Sequence, residues 1–166
     1  MRMEGKIGIV TAAGSGMGRA GAIRFAQEGA SVGVVDVDED AVASVVNDIE
    51  QNGGKAKGIV ADLTKDEDSK RIVVETAKHF NGLDFVWNHV GYPGPASVEG
   101  VEMNDFDLTL DLNLRTVLIT TDAALTELRA RGGGSLLFTA STSGLAGSGF
   151  SPIYSMAKFG VVGFVR

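Results

Sequence analysis

Tyr154 and Lys158 are the pair of side chains in this sequence best suited to move a proton. They stand four positions apart in the segment YSMAK, so a helix would place both on one face. A tyrosine phenol has an ordinary pKa of about 10, which is too high for efficient proton transfer near neutral pH. A neighbouring ammonium group favours the phenolate and lowers that pKa. The same spacing is common on exposed helix faces that carry no chemistry, so the pair needs support from other residues.

A turn rich in glycine could bind a phosphate group. The stretch TAAGSGMGRA, residues 11–20, follows the apolar run KIGIV and has Gly14, Gly16 and Gly18 at alternate positions. Free N–H groups and the dipole at a helix N-terminus attract an anion, and glycines let the backbone approach it. Arg19 rules out the G-x-G-x-x-G spacing, and no Gly-Lys-Ser/Thr ending is present. An ordinary turn between a strand and a helix is the alternative.

Two further polar residues occupy positions that call for an explanation. Asp36 ends a predicted strand, where its carboxylate could accept hydrogen bonds from ribose hydroxyls or could begin a turn with Asp38. Asn113 falls inside a predicted helix, although asparagine is a poor residue for a helix interior. A functional role and a place on a solvated helix surface both remain open for Asn113.

Composition disfavours several other kinds of protein. Of the 166 residues, 44% are hydrophobic and 22% are charged, as in ordinary globular proteins. The net charge of −6 and the lack of a basic run argue against a nucleic-acid partner. No cysteine is present, and His79 and His89 are far apart in the sequence, so we expect no catalytic metal. Without a signal peptide or an apolar stretch of membrane-spanning length, we expect a cytoplasmic protein with no membrane partner.

Short apolar runs alternate with longer helical patterns along the whole chain. This alternation predicts an α/β fold in which helices cover both faces of a parallel sheet. Right-handed crossovers favour a doubly wound, Rossmann-like sheet of order 3-2-1-4-5, in one domain spanning residues 1–166. Ligands bind such sheets at the carboxyl ends of the strands, where the glycine turn and the stretch NHVG both fall. The predicted strands are 6–11, 31–36, 56–61, 83–88 and 135–139, and the predicted helices are 16–28, 39–51, 64–80 (with a capping box at Thr64 and Glu67), 104–131 and 151–166.

The segment TAAGSGMG resembles the T-G-x-x-x-G-x-G turn of the short-chain dehydrogenases/reductases, with Ala12 in place of the first glycine. Extended relatives such as sugar-nucleotide epimerases would have glycine at Ser15, so the spacing favours the short type. The resemblance implies NAD more than NADP, because Asp36 would repel a 2′-phosphate and neither Ser15 nor Val37 is basic. Asp62 matches the position that contacts adenine, or belongs to the cap before the next helix. The implied cofactor contacts are Ala12, Gly14, Ser15, Gly16, Met17, Gly18, Asp36, Val37, Asp62, Leu63, Asn88, Val90, Gly91, Tyr154 and Lys158.

The resemblance extends to the reacting group of the family. Ser141 lies 13 residues before Tyr154, at the family's serine position, and would hold the substrate oxygen. Asn113, in LDLNLRT, matches the asparagine that ties Lys158 to a water chain. Tyr154 would move the proton, and Lys158 would bind the nicotinamide ribose. Other hydroxyls close to Ser141 could form the turn instead, namely Thr139, Thr142 and Ser143.

The implied function is hydride transfer between NAD(H) and a secondary alcohol or ketone. Members of the family continue past the position that matches Arg166. We therefore expect a C-terminally incomplete chain, truncated within the helix that carries Tyr154 and Lys158, with the last strands of the family missing. The alternative is a non-catalytic dinucleotide-binding module that lacks the substrate-binding half. The family resemblance also implies a small-molecule substrate and a homodimer or homotetramer, while the identity of the substrate is not encoded in these motifs.

Overall fold

Five parallel strands form one sheet with helices on both faces in the computed structural model, which describes residues 1–166. The strands are β1 (Ile7–Thr11), β2 (Ser31–Asp36), β3 (Lys55–Val60), β4 (Phe85–Asn88) and β5 (Ser135–Phe138). Their order is β3-β2-β1-β4-β5, and every neighbouring pair is parallel. The doubly wound, Rossmann-like order predicted from the sequence is confirmed. The chain reverses its winding between β1 and β4, so the switch point lies there.

Six α-helices connect or flank the strands. They are α1 (Gly16–Gln27), α2 (Glu39–Gln51), α3 (Asp66–Phe80), α4 (Met103–Leu110), α5 (Thr116–Ala130) and α6 (Pro152–Val165). A π-helical turn, Asp111–Arg115, joins α4 to α5, and a short 3₁₀ turn, Thr142–Gly144, follows β5. The predicted bounds of β2 and α2 agree with the structure. β1, β4 and β5 differ by one or two residues at one end, and β3 is shifted by one residue at both ends.

The core has two layers because successive side chains of a strand point to opposite faces of the sheet. Ile9 packs in the cluster that includes Ile72 of α3, on the face that α3 and α5 cover. Val10, the next residue, packs in the cluster that includes Ala22 of α1 and Val45 of α2, on the opposite face. All five side chains are fully buried. This double burial explains why β1 is apolar at nearly every position.

The capping box predicted at Thr64 and Glu67 does not form. Helix α3 begins two residues later, at Asp66, and no side chain caps it at Lys65. The Thr64 hydroxyl instead donates a 2.6 Å hydrogen bond to the carboxylate of Asp62. Local side-chain bonding has therefore drawn Thr64 into the loop before the helix.

The segment predicted as one long helix, or two abutting helices, over 104–131 is helical from Met103 to Ala130. Its continuity is interrupted only by the π-turn at Asp111–Arg115, and Asn113 is the central residue of that turn. Such turns insert an extra residue into a helix and are frequent at functional sites.

Candidate active site

The glycine turn between β1 and α1 presents backbone amides that no protein group uses. The amides of Gly16, Met17 and Gly18 donate to no acceptor within the chain, and Ser15 provides no side-chain cap for α1. Gly16 adopts a left-handed φ of 53°. A Cβ on Gly18 would lie 1.9 Å from the carbonyl oxygen of Ala12, so only glycine fits there. Free amides and the helix dipole together make this turn a site for an anion.

Asp36 joins this turn to the end of β2. Its Oδ2 accepts a 2.8 Å hydrogen bond from the amide of Gly14. Its Oδ1 accepts bonds from the amides of Val37, at 2.8 Å, and Asp38, at 3.3 Å. Both expectations for Asp36 are therefore compatible with the structure, because the carboxylate orders a turn with Asp38 and also lines a cleft.

That cleft, of about 160 Å³, lies on the β2–β3 side of the switch point, and we call it the acidic cleft. Six of the residues expected to contact the cofactor lie in its wall, while three others were not expected from the sequence. The expected residues are Ala12, Asp36, Val37, Asp62, Leu63 and Val90, and the unexpected ones are Ala61, Thr64 and Leu112. Leu112 comes from the π-turn, and nothing in the local sequence signals its approach to the end of β3.

Asp62 has a local structural role as well as a place in the wall of the acidic cleft. The hydrogen bond from the Thr64 hydroxyl is the main cause that holds the pKa of the Asp62 carboxyl below its usual range. Lys65 forms a 3.2 Å ion pair with the same carboxylate. Asp62 therefore belongs to the loop before α3, and the ligand contact expected of it stays a prediction.

A second cleft, of about 300 Å³, brings the glycine turn together with Tyr154 and Lys158, and we call it the tyrosine cleft. Ala12 lines both clefts, so they adjoin at the end of β1. The other residues of its wall come from the glycine turn, the loop after β4, the end of β5 and α6. They are Ser15, Gly16, Met17, His89, Gly91, Tyr92, Pro93, Thr139, Tyr154 and Lys158.

Lys158 is buried beneath this cleft, with only 2% of its surface exposed. Its Nζ donates a 2.8 Å hydrogen bond to the carbonyl oxygen of Thr139 and lies 5.4 Å from the centre of the Tyr154 ring. Burial lowers the pKa of Lys158 to about 8, because desolvation disfavours the charged form. The pair therefore lies on one face of α6, as its spacing predicted, but that face is turned into the protein.

Asn113 is fully buried. The alternative left open by the sequence, that Asn113 lies on a solvated helix surface, is therefore wrong. Its amide nitrogen donates to the carbonyl oxygens of Tyr92, at 2.7 Å, and Thr109, at 2.8 Å. Its Oδ1 has no hydrogen-bond partner. A Cβ on Gly91 would lie 2.8 Å from that Oδ1 and 3.4 Å from Lys158 Nζ, so both polar atoms border Gly91. The π-turn thus brings Asn113 to the side of Lys158.

Five expected site residues line neither cleft, namely Gly14, Gly18, Asn88, Asn113 and Ser141. Ser141 caps the 3₁₀ turn, where its Oγ accepts a 3.1 Å hydrogen bond from the amide of Ser143. Asn88 is 2% exposed, and neither polar atom of its side chain has a partner in the protein. The ligand contacts expected of Ser141 and Asn88 therefore stay predictions. Gly14 and Gly18 are also buried and shape the glycine turn from behind.

His89 and Thr139 are residues of the tyrosine cleft that the sequence patterns did not assign to the site. His89 Nδ1 lies 2.8 Å from Thr139 Oγ1. Burial, followed by the charge of Lys158, lowers the pKa of His89 below its usual value. The one signal in the sequence was the stretch NHVG, which the predicted fold places at the carboxyl ends of the strands with the glycine turn.

No group of three or more His, Cys, Asp or Glu side chains is arranged to hold a metal ion. None of the helices combines the length and apolar character that crossing a membrane requires.

The fold and the two adjoining clefts define a doubly wound α/β protein with unpaired backbone amides at the first strand–helix turn. A family model described as short chain dehydrogenase matches residues 6–166. The chain belongs to this family, as its motifs indicated.

Characterised relatives include cyclohexanol dehydrogenase of Acinetobacter sp., which is 33% identical over 166 residues covering 99% of this chain and 66% of the relative. Levodione reductase of Leifsonia aquatica is 32% identical, with 99% of this chain and 63% of the relative covered. An uncharacterised oxidoreductase of Thermotoga maritima is 32% identical, covering all of this chain and 65% of the relative. The chain thus spans about two thirds of the length of the curated relatives that it matches.

Solved structures agree with the fold. A 7α-hydroxysteroid dehydrogenase complexed with NADH and 7-oxo glycochenodeoxycholic acid has a TM-score of 0.94 at 29% identity, covering 98% of this chain and 64% of that chain. NAD⁺-bound xylitol dehydrogenase has a TM-score of 0.93 at 27% identity, covering 99% of this chain and 64% of that chain.

Proposed function

We propose that this chain is the cofactor-binding part of an NAD-dependent oxidoreductase that transfers a hydride between NAD(H) and a secondary alcohol or ketone. One observation carries the proposal: a single cleft joins the free amides of the glycine turn to Tyr154 and the buried ammonium of Lys158. An anion site next to a phenol and an ammonium fits a dinucleotide whose reactive end lies beside a proton donor.

The residues present fit a dinucleotide in three respects. The amides of Gly16, Met17 and Gly18 are free to bind a diphosphate. The acidic cleft would take the adenosine half, with the Asp36 carboxylate available to its ribose hydroxyls. A Cβ at Gly91 would crowd Asn113 Oδ1, which supports a role for this glycine in keeping the path beside Lys158 open.

NAD is favoured over NADP by the charge at the end of β2. Asp36 would repel a 2′-phosphate, and Val37 and Thr64 beside it carry no positive charge. Lys65 is nearby, but its ammonium is paired with Asp62. Two solved relatives are bound to NAD⁺ or NADH, which agrees with this choice.

The nicotinamide ring would accept or donate the hydride, and side chains of the protein would transfer the proton. Tyr154 would take the proton from an alcohol or give it to a carbonyl oxygen. The Lys158 ammonium, held 5.4 Å from the phenol ring, would stabilise the phenolate. Asn113 would orient groups beside Lys158 through its free Oδ1. Ser141 would steady the substrate oxygen, which requires its Oγ to leave the amide of Ser143 or to bond both.

The substrate class follows from the relatives rather than from this chain. The names of two of them, cyclohexanol dehydrogenase and levodione reductase, indicate an alcohol and a ketone. We extend the proposal to a small-molecule alcohol or ketone and to a homodimer or homotetramer. Exposed apolar side chains on α5 and α6 support such an assembly, among them Leu118, Met156 and Phe159.

The proposal is tested by two measurements on the same preparation. NADH binding is followed by the rise in nicotinamide fluorescence, and turnover is followed by NADH absorbance with a panel of cyclic and linear ketones. Binding together with turnover of at least one ketone is the expected result. Binding without turnover would instead favour the non-catalytic dinucleotide-binding module. A protein that is folded by circular dichroism but binds no NADH would overturn both readings.

A further inference from the structure

His89 has a fixed orientation that neither the proposed reaction nor the glycine turn requires. Its Nδ1 lies 2.8 Å from Thr139 Oγ1, and its backbone amide donates a 2.9 Å hydrogen bond to Thr11 Oγ1. The imidazole packs on the Trp87 ring, with 4.6 Å between the ring centres and an angle of 36° between the planes. The ring is therefore held by a hydrogen bond at one edge and by an aromatic face.

The hydrogen bonds of Thr139 favour one of the two tautomers of His89. Trp87 Nε1 can only donate, and it lies 2.9 Å from Thr139 Oγ1. The hydroxyl accepts this bond, and its own proton has no acceptor in the protein other than the neighbouring His89 Nδ1, so a bond donated by the hydroxyl to Nδ1 satisfies both groups. A neutral imidazole that accepts at Nδ1 carries its proton on Nε2.

The Nε2 edge of His89 faces the tyrosine cleft. Nε2 has no hydrogen-bond partner in the protein and is not fully buried, in contrast to Oδ1 of Asn113, and His89 lines the tyrosine cleft. The adjacent ring carbon, Cδ2, lies 3.0 Å from the position of a Cβ on Gly18. The imidazole edge therefore lies against the first turn of α1, beside the amides that donate to no protein group.

We propose that His89 is a ligand-binding residue whose Nε2–H donates a hydrogen bond to the diphosphate of the bound dinucleotide. The proposal rests on the proposed function, since it needs a dinucleotide in the tyrosine cleft. His89 adds a side-chain donor to the backbone donors of Gly16, Met17 and Gly18. Thr139 and Trp87 act as positioning residues, because they fix the tautomer and the plane of the ring.

The chemistry around His89 suits a neutral donor rather than a second cation. The Lys158 ammonium already supplies a positive charge in the same cleft. Burial and then the Lys158 charge both lower the pKa of His89 and so disfavour the imidazolium form. A neutral N–H donor binds a phosphate oxygen with no cost of charge repulsion toward Lys158.

The test compares the affinities of three ligands for His89 variants. ADP-ribose contains the diphosphate without nicotinamide, and adenosine contains neither. We expect His89→Phe, which keeps the stacking on Trp87, to weaken binding of NADH and ADP-ribose about tenfold or more while leaving that of adenosine unchanged. His89→Gln, whose amide can present a donor to the cleft, should bind all three within about threefold of the unsubstituted protein. His79→Gln, at the exposed end of α3, is the matched control and should change nothing.

Each outcome bears on one proposal or on both. If the unsubstituted protein binds NADH and His89→Phe binds it equally well, the role of His89 is overturned and the proposed function stands. If the unsubstituted protein binds no NADH, the role of His89 and the proposed function are both overturned.

A second measurement uses the unsubstituted protein, so its result does not depend on whether a variant folds. Nitrogen-15 spectra of the His89 ring should show the proton on Nε2 and a shift of that signal on addition of ADP-ribose, whereas a proton on Nδ1 or an unmoved signal would contradict the proposal.

Discussion

The Nζ atom of Lys158 lies 5.4 Å from the centre of the Tyr154 ring, one helical turn away on α6. Because Lys158 is 2% exposed, water screens its charge only weakly from the phenol. The same burial disfavours the charged form of Lys158 and lowers its pKa to about 8. One arrangement therefore places the ammonium beside the phenol ring and also makes the stability of the fold sensitive to pH.

Removal of the phenolic hydroxyl should separate chemistry from binding. In Tyr154→Phe the ring still fills its place in α6, but no group remains to move the proton. We expect ketone turnover to fall by about 10²–10⁴-fold, with the dissociation constant for NADH within about threefold of the starting protein. Stopped-flow turnover and fluorescence titration measure the two effects. Turnover that survives the substitution would remove Tyr154 from the proton-transfer role.

Lys158→Met should change how stability depends on pH. In the folded protein the pKa of Lys158 is about 8, against an ordinary value of 10.5. Between these values the unfolded chain binds more protons than the folded one, so the stability of the unsubstituted protein rises as pH increases from 8 to 10.5. The gain across this window is at most about 3 kcal/mol, and Lys158→Met should lack it.

Urea unfolding at pH 7, 8, 9 and 10 measures this difference directly. The free energy of unfolding of the unsubstituted protein, relative to Lys158→Met, should increase with pH above 8. Lys78→Met, at the end of α3, serves as a control whose curve should run parallel to that of the unsubstituted protein. Parallel curves for Lys158→Met as well would show that burial imposes no such penalty on Lys158.

Asp36→Ala should narrow the preference for NADH over NADPH. The carboxylate lies in the wall of the acidic cleft, where it would repel a 2′-phosphate. Its loss should change the ratio of the two dissociation constants about tenfold in favour of NADPH. Both affinities should also decline somewhat, since Gly14 loses its 2.8 Å bond to Asp36. Asp38→Ala is a control of equal charge change, because Asp38 caps α2 and does not line the cleft. An unaltered ratio in Asp36→Ala would contradict the choice of NAD.

Ala12→Gly should stabilise the protein. Ala12 has a φ of 51°, a left-handed conformation that is strained for a residue with a Cβ. Glycine adopts it freely, so we expect the free energy of unfolding to rise by up to about 1 kcal/mol after the entropic cost of glycine is counted. Ala13→Gly is the matched control, because Ala13 is fully buried without a positive φ and should lose stability. Thermal unfolding of both variants measures the change in stability. A lower melting temperature for Ala12→Gly would contradict the expectation and show that the Ala12 methyl group contributes packing.

The glycine turn could be predicted because its signal is contiguous in the sequence. Three alternate glycines after an apolar run indicated close backbone approach, and the structure shows it at Gly18. The exact start of α3 could not be predicted in the same way. Thr64 could cap the helix or bind the Asp62 carboxylate, and in the structure its hydroxyl forms the hydrogen bond to Asp62 and the helix has no side-chain cap. Local patterns rank such alternatives poorly when their energies differ by about 1 kcal/mol.

The sequence by itself determined the order of the strands, the family and the candidate residues of the anion site. Periodicity and motif spacing are properties of short segments, and right-handed crossovers convert them into a sheet order. Only the tertiary structure decided that Asn113 is buried at a π-turn, that Ser141 faces its own turn, and that His89 meets Thr139. The last contact joins residues 50 positions apart. Such contacts depend on how helices and strands pack in three dimensions, which no local pattern encodes.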